Sequence, residues 1–139
     1  MAPVTETIAQ RLGKYIVQLE YGALPKAVVE ETKAALLDQL GCQLIGSTLH
    51  WNRVVHDYVA GFEGRGESTI VNYGTRALAH DAAYANGTFG QGAELDQSFD
   101  RAGGHAGAVT CPVAMALGEK QHADGKAFLT SIVAGYDVA

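Results

Sequence analysis

The sequence predicts an all-α chain of about six helices, with one short extended segment near residues 68–73. Three observations lead there. Apolar side chains recur at three- and four-residue spacing over most of the length. Pro, Gly, Ser and Asn punctuate that pattern at helical rather than strand lengths. Only Ser68-Thr-Ile-Val-Asn-Tyr73 has the β-branched enrichment of a strand, and one short strand makes no sheet without a partner.

The elements follow in order. From Thr5, a good N-cap, Ile8, Leu12, Tyr15, Ile16 and Leu19 mark a first helix that stops near Tyr21-Gly22. Leu24-Pro25 opens the second, with proline in its first turn. Its stripe is Val28, Val29, Thr32, Leu36, Leu40 and Leu44, widened by Leu37 and Ile45. The second half carries almost no charge after Asp38 and is expected to be buried on most sides, as the central helix. Residues 50–62 give a third, amphipathic helix on Trp51, Val54, Val55, Tyr58 and Phe62. Residues 61–66 form a charged turn before the strand-like run. From Ala77, the residues Leu78, Ala82, Ala85 and Phe89 line one side of a fourth helix. A fifth starts near Val109 with Pro112 in its first turn. Asp124 caps the sixth, which runs through Phe128, Leu129, Ile132, Val133 and Tyr136. That pattern is still apolar at Ala139 and reads as an element cut in its middle.

Composition bounds the function. The chain has 139 residues, the size of one domain, with 47% hydrophobic and 18% charged residues. A net charge of −5 offers no basic stripe and argues against a nucleic-acid partner. No apolar run is long enough to span a membrane, and the first residues lack the pattern of a signal peptide. Cys42 and Cys111 lack metal-ligand spacing and read as core residues in a reducing compartment, so a cytoplasmic location is expected. The 17 glycines exceed what turns require, and helices crossing at close range would account for the rest.

Chemistry concentrates in residues 86–107, where a glycine-thinned helical pattern becomes a loop carrying Glu94, Asp96, Asp100 and His105. If the helix continues that far, Asp96 and Asp100 share a face. A bend at Gly103-Gly104 swings His105 back towards them. A carboxylate beside an imidazole fixes the ring tautomer, as general acid–base catalysis requires. A polar connection, with Asp96 or Asp100 capping a helix, is the other reading of the same residues. A metal site from Asp96, Asp100 and His105 is a minor option. The glycines at 87, 90 and 92 run GxxGxG with no strand before them, which is not the dinucleotide fingerprint. His50, His56, His80 and His122 read as surface, turn or satisfied polar positions, Glu94 as either within reach of the site or solvated, and Trp51 as a core or interface anchor.

With these elements placed, the sequence resembles the amino-terminal part of the MmgE/PrpD family, which includes 2-methylcitrate dehydratase, cis-aconitate decarboxylase and iminodisuccinate epimerase. Leu24-Pro25, Val28-Val29 and Leu36-Leu37-Asp38-Gln39-Leu40-Gly41-Cys42 are similar to its "LP…V…LLDxLGC" opening. Ala85-Asn86-Gly87 with Glu94-Leu95-Asp96 resembles "ANGxxxHxxDFDD". His105-Ala-Gly107, Pro112-Val-Ala-Met-Ala-Leu117 and the run from Gly125 to Asp137 resemble "HPG…P…LALAE" and "SGxxLLxAIVxGYEV". Five pieces in the right order are a specific signature.

The resemblance implies the N-terminal portion of a helical domain over residues 1–139, with the family's smaller α+β domain absent. It implies a cofactor-independent lyase or isomerase, usually a homodimer and without a metal, acting on a small di- or tricarboxylate by proton transfer next to a carboxylate. On this basis Asp96 corresponds to the leading aspartate of the "DFDD" motif, His105 to the histidine of "HPG", and Asp100 to a polar site residue between them. His105 is then the acid/base candidate, Asp96 its partner, and Arg101 a contact for a substrate carboxylate. Departures are Gln97-Ser98 where the family often has two acidic residues, and alanine after His105 where it has proline. The family's later histidine, lysines and tyrosine would lie past Ala139, so the chain alone is expected to be inactive. A non-catalytic helical or oligomerisation module that needs a complementary chain is the alternative.

Overall fold

The computed structural model describes residues 6–62, 64, 66–99 and 103–139. In order these form α1 (Ile8–Gln18), a 3-10 turn (Tyr21–Ala23), α2 (Lys26–Ser47) and α3 (His50–Ala60). The strands β1 (Ser68–Thr69) and β2 (Arg76–Ala77) come next, then α4 (Ala79–Gln91), α5 (Ala106–Gln121) and α6 (Gly125–Val138). The fold is all-α, as the periodicity predicts.

Helix α4 is the one around which the others gather, packing mainly on α2 and α5 and less on α3. Its inner face is Ala82, Ala85 and Phe89, all fully buried, and they join Val59, Ile70, Ala79 and Ala116 in one core cluster. Burying a phenylalanine side chain stabilises by about 1.5–3 kcal/mol, so Phe89 is the largest contributor on this small-residue face. A second cluster, Cys111, Ala114 and Ile132, joins α5 to α6.

Two expected faces are corrected. The second half of α2 is not buried on most sides: Leu37 is 72%, Leu44 49% and Ile45 51% exposed. The face that packs is Gln39, Cys42, Gln43, Gly46 and Ser47. The reason is the closeness of the crossing. A Cβ on Gly46 would stand 1.8 Å from the Phe89 carbonyl oxygen, and one on Gly90 1.8 Å from Gln39 Nε2. Gly46 and Gly90 leave no room for side chains of their own and the long Gln39 and Gln43 fill the seam beside them, so Leu37, Leu44 and Ile45 lie on the outer side of the helix. Helix α3 repeats this in part: Asn52 and Val59 are buried and Val55 of the expected stripe packs against the core, while Trp51, Val54, Tyr58 and Phe62 are exposed. The buried Asn52 donates its Nδ2–H to the Gly46 carbonyl at 2.9 Å, tying α3 to the same seam.

The helix ends differ in detail. Thr7, not Thr5, caps α1, accepting from Gln10 N–H at 3.2 Å while the Gln10 side chain accepts from Thr7 N–H at 2.9 Å. Thr5 lies outside the described residues. Pro25 is the N-cap of α2 rather than a first-turn residue. Asp124 caps α6 as predicted, accepting from Ala127 N–H at 2.8 Å. Helix α5 begins three residues before Val109, which leaves Pro112 inside it. Proline has no N–H to give the Ala108 carbonyl one turn back. That carbonyl faces Gly87 of α4, where a Cβ would come within 3.0 Å of it. The glycine thus lets α4 approach α5 where its ladder is broken.

The strand-like run finds its partner immediately downstream. β1 pairs antiparallel with β2, Ser68 opposite Ala77 and Thr69 opposite Arg76. Asn72 and Gly74 in the turn have φ of 69° and 66°, a conformation both residue types tolerate. The hairpin docks through polar groups. The buried Asn86 accepts from Val71 N–H and donates to the Thr69 carbonyl, both at 2.9 Å. Ser68 donates to the Ala116 carbonyl at 2.6 Å, and Thr69 Oγ1–H to Glu119 at 2.8 Å.

Candidate active site

Helix α4 stops at Gln91, so Asp96 and Asp100 do not share a helical face. Gly92 and Glu94 donate back to the Phe89 and Gln91 carbonyls, and Glu94 takes φ 51°, which turns the chain off the helix axis. The two arms of the following loop are pinched together. Phe99 N–H donates to the Gly104 carbonyl and Gly103 N–H to the Phe99 carbonyl, each at 2.9 Å. Gly103, with φ 64°, allows this tight return, and His105 then caps the start of α5.

The return brings together two of the residues singled out from the sequence. His105 Nδ1 lies 3.2 Å from Asp96 Oδ2, with the Asp96 side chain fully buried and the His105 side chain one-third exposed at 33%. The Gln91 amide faces the same carboxylate; with nitrogen towards it, as hydrogen bonding requires, it donates to both Asp96 oxygens at 3.1 Å. The buried carboxylate is therefore held by side chains from the end of α4 and the start of α5. As the acceptor of Nδ1–H it selects the tautomer of neutral His105 that leaves Nε2 free to exchange a proton. Asp100 and Arg101 lie outside the described residues. Glu94 is exposed and, among the described residues, forms no part of this group.

His105 and Gln91 open on a cleft of about 1090 Å³ along α4 and α5, walled also by Trp51, Tyr84, Gly87 and Val113. Trp51 stands half-exposed at its edge and donates its indole N–H to the Gly92 carbonyl at 3.3 Å. Among the described residues the wall contains His80 and His105 but no lysine or arginine. No three His, Cys, Asp or Glu side chains cluster as metal ligands among the described residues. A metal at Asp96, Asp100 and His105 would depend on a residue outside them.

Beside the pair, Gln97 donates its amide N–H to the Tyr136 hydroxyl of α6. Burial pushes the Tyr136 phenol up to about 12, with the neighbouring Cys111 adding to it. Burial likewise pushes the Cys111 thiol up to about 11, against a hydrogen bond from Tyr136 that lowers it. Neither group is ionised near neutrality, and Cys111 is a packed thiol rather than a nucleophile.

Gln91 and Tyr136 escaped the reading of the sequence. Gln91 counts there as one more position of a helical pattern. The one available signal is a long polar amide between Gly90 and Gly92, five residues before Asp96. Tyr136 counts as an apolar position, and nothing local distinguishes it from core.

Residues 10–139 match the family model described as MmgE/PrpD N-terminal domain. Over 130 residues the chain is 29% identical to the cis-aconitate decarboxylase-like protein oryM of Aspergillus oryzae, covering 94% of this chain and 26% of that protein. It is 28% identical over 115 residues to cis-aconitate decarboxylase of Aspergillus terreus, covering 83% of this chain and 22% of that one. The chain thus spans about a quarter of the length of these curated relatives. No solved structure gives a significant match. No helix among the described residues is long and apolar enough to cross a membrane.

Proposed function

The chain belongs to the MmgE/PrpD family, and we propose that it contributes the acid–base pair of a lyase or isomerase acting on a small polycarboxylate. The observation that carries this is the buried Asp96 carboxylate 3.2 Å from His105 at the wall of an open cleft. A proton on carbon next to a carboxylate is only weakly acidic. Its removal needs a positioned base and fixed positive groups to stabilise the developing carbanion. In this reading His105 Nε2 takes or returns that proton, Asp96 holds the ring in the required tautomer, and Gln91 holds Asp96. Arg101 is proposed as a contact for a substrate carboxylate. Further cations would come from outside these 139 residues. The reaction proposed needs neither metal nor organic cofactor. Substrates to test first are cis-aconitate, after the relatives' names, and 2-methylcitrate.

The test is His105→Ala, assayed with both substrates on the protein alone and together with a polypeptide supplying the remaining length of its relatives. Loss of a positioned acid–base group lowers the rate by about 10²–10⁴-fold. Unchanged turnover with unchanged circular dichroism would remove His105 from the mechanism.

A second reading has its own observation. Leu37, Leu44 and Ile45 of α2 and Val54, Tyr58 and Phe62 of α3 are exposed. Faces of that kind mark association, here as a homodimer or with a complementary chain. Light scattering separates these outcomes: a monodisperse dimer supports self-association, and a stable monomer refutes it.

A further inference from the structure

The acid–base role of His105 depends on its distance from Asp96, yet the two residues lie on opposite arms of a loop. Both arms meet the side chain of one residue on α6. On the first arm, Gln97, adjacent to Asp96, donates its amide N–H to the Tyr136 hydroxyl oxygen. On the second, a Cβ on Gly107, two residues after His105, would stand 2.8 Å from that same oxygen and 3.6 Å from Gln97 Nε2. The ring that carries the hydroxyl packs on the cluster that holds Cys111, a fully buried residue of α5. One oxygen is thus hydrogen-bonded to the arm that carries Asp96 and lies close against the first turn of the helix that carries His105 on its cap. Around it the ring packs against Cys111, Ala114 and Ile132, so α6 cannot easily turn it away.

We infer that Tyr136 is a positioning residue for the Asp96–His105 pair, an inference that rests on the acid–base reading of His105. It does not touch a ligand in the cleft, because Tyr136 is not among the residues that wall it. Its effect passes through geometry. With the hydroxyl in place, the Gln97 backbone is fixed and Asp96 Oδ2 is held on His105 Nδ1. Without it, the first arm loses its tether to α6 while Gln91 still holds the carboxylate from α4. The imidazole and carboxylate then sample longer separations, and neutral His105 is no longer confined to the Nδ1–H tautomer. Gly107 belongs to the same device: its missing side chain is what lets the phenol reach the loop.

The experiment uses Tyr136→Phe, which keeps the ring and its packing and removes only the hydroxyl. Gln97→Ala removes the other half of the bond from an exposed position and serves where the first variant fails to fold. The primary readout is the pair of ¹⁵N shifts of neutral His105, which report the Nδ1–H and Nε2–H tautomers separately. In the unaltered protein they should show mainly Nδ1–H. In either variant the Nε2–H share should rise, and in the assay with the complementing polypeptide kcat should fall about 10- to 100-fold with KM within about twofold, the range seen for outer partners of metal-ligating residues. A purely structural role would lower stability and leave both signatures unchanged, and that result overturns the inference. The two readings fail separately. Shifted tautomers in Tyr136→Phe beside full activity in His105→Ala would sustain the positioning role and reject the catalytic one. An inactive His105→Ala beside an unmoved ¹⁵N signature in both tether variants would do the reverse.

Discussion

The same substitution at two glycines of α2 should act with opposite sign, and the structure gives the size of each effect. Gly41 lies inside the helix, and a Cβ there would meet nothing within 4 Å. Gly41→Ala therefore gains helix propensity without a packing cost, about 0.8–1 kcal/mol. Gly46 lies in the seam with α4, where a Cβ would stand 1.8 Å from the Phe89 carbonyl oxygen and 2.7 Å from its carbon. Real Cβ contacts essentially never fall below 3.0 Å, so the two helices would have to separate by more than an ångström. The obstacle is backbone, with no flexible side chain to yield. Overpacking of this kind costs about 1–3 kcal/mol and occasionally more. Gly46 is next to the last residue of α2, so little propensity is regained, and a net loss of about 3 kcal/mol is expected. Urea titrations followed by far-UV circular dichroism measure both variants, and a spread of about 4 kcal/mol between them corresponds to roughly 15 °C in Tm for a chain of this size. Two alanines that shift stability in the same direction, or a Gly46→Ala within 1 kcal/mol of the parent, would refute the close crossing as drawn.

Two other predictions concern the hairpin and the alkaline limit. Asn86→Ala leaves Val71 N–H and the Thr69 carbonyl without their buried partner, at a cost of about 1–3 kcal/mol for each group left unpaired, and thermal unfolding should show it without loss of helix content before the transition. Tyr136 and Cys111 both bind their protons more tightly in the folded chain, near 12 and 11, than at their ordinary values of 10.0 and 9.0. The unfolded chain thus releases protons first. The stability they contribute is present in full below about pH 9 and declines as pH rises towards 12, so the urea midpoint should fall across that window and fall less in Cys111→Ala. A midpoint flat between pH 8 and 11 would contradict the burial of both groups.

How much of this was legible in the sequence depends on the range of each interaction. The six helices, the caps at Asp124 and near Thr7, and the turn at Gly103-Gly104 are local consequences of periodicity and backbone freedom, and each stands within a few residues of where the sequence places it. The orientation of α2 and α3 is another matter. Hydrophobic stripes point to a buried face, yet the second half of α2 packs through Gln, Cys, Gly and Ser, and α3 packs through Asn52 and Val59 rather than through its aromatic residues. Area burial favours the leucines. Close approach at Gly46 and Gly90 leaves no room for a Cβ at either position, and at 1.8 Å sterics decide.

For the site, the sequence by itself determined the residue types: a carboxylate and an imidazole nine positions apart, with glycines between them that permit a tight return. It also carried the family resemblance, which the match of residues 10–139 to the family model bears out. Only the tertiary structure decided which groups meet. Gln91 reaches Asp96 because α4 ends where it does, and Tyr136 reaches Gln97 because α6 packs across α5. Those contacts join elements up to 39 residues apart in the chain, and they are set by how helices cross, which local patterns do not encode.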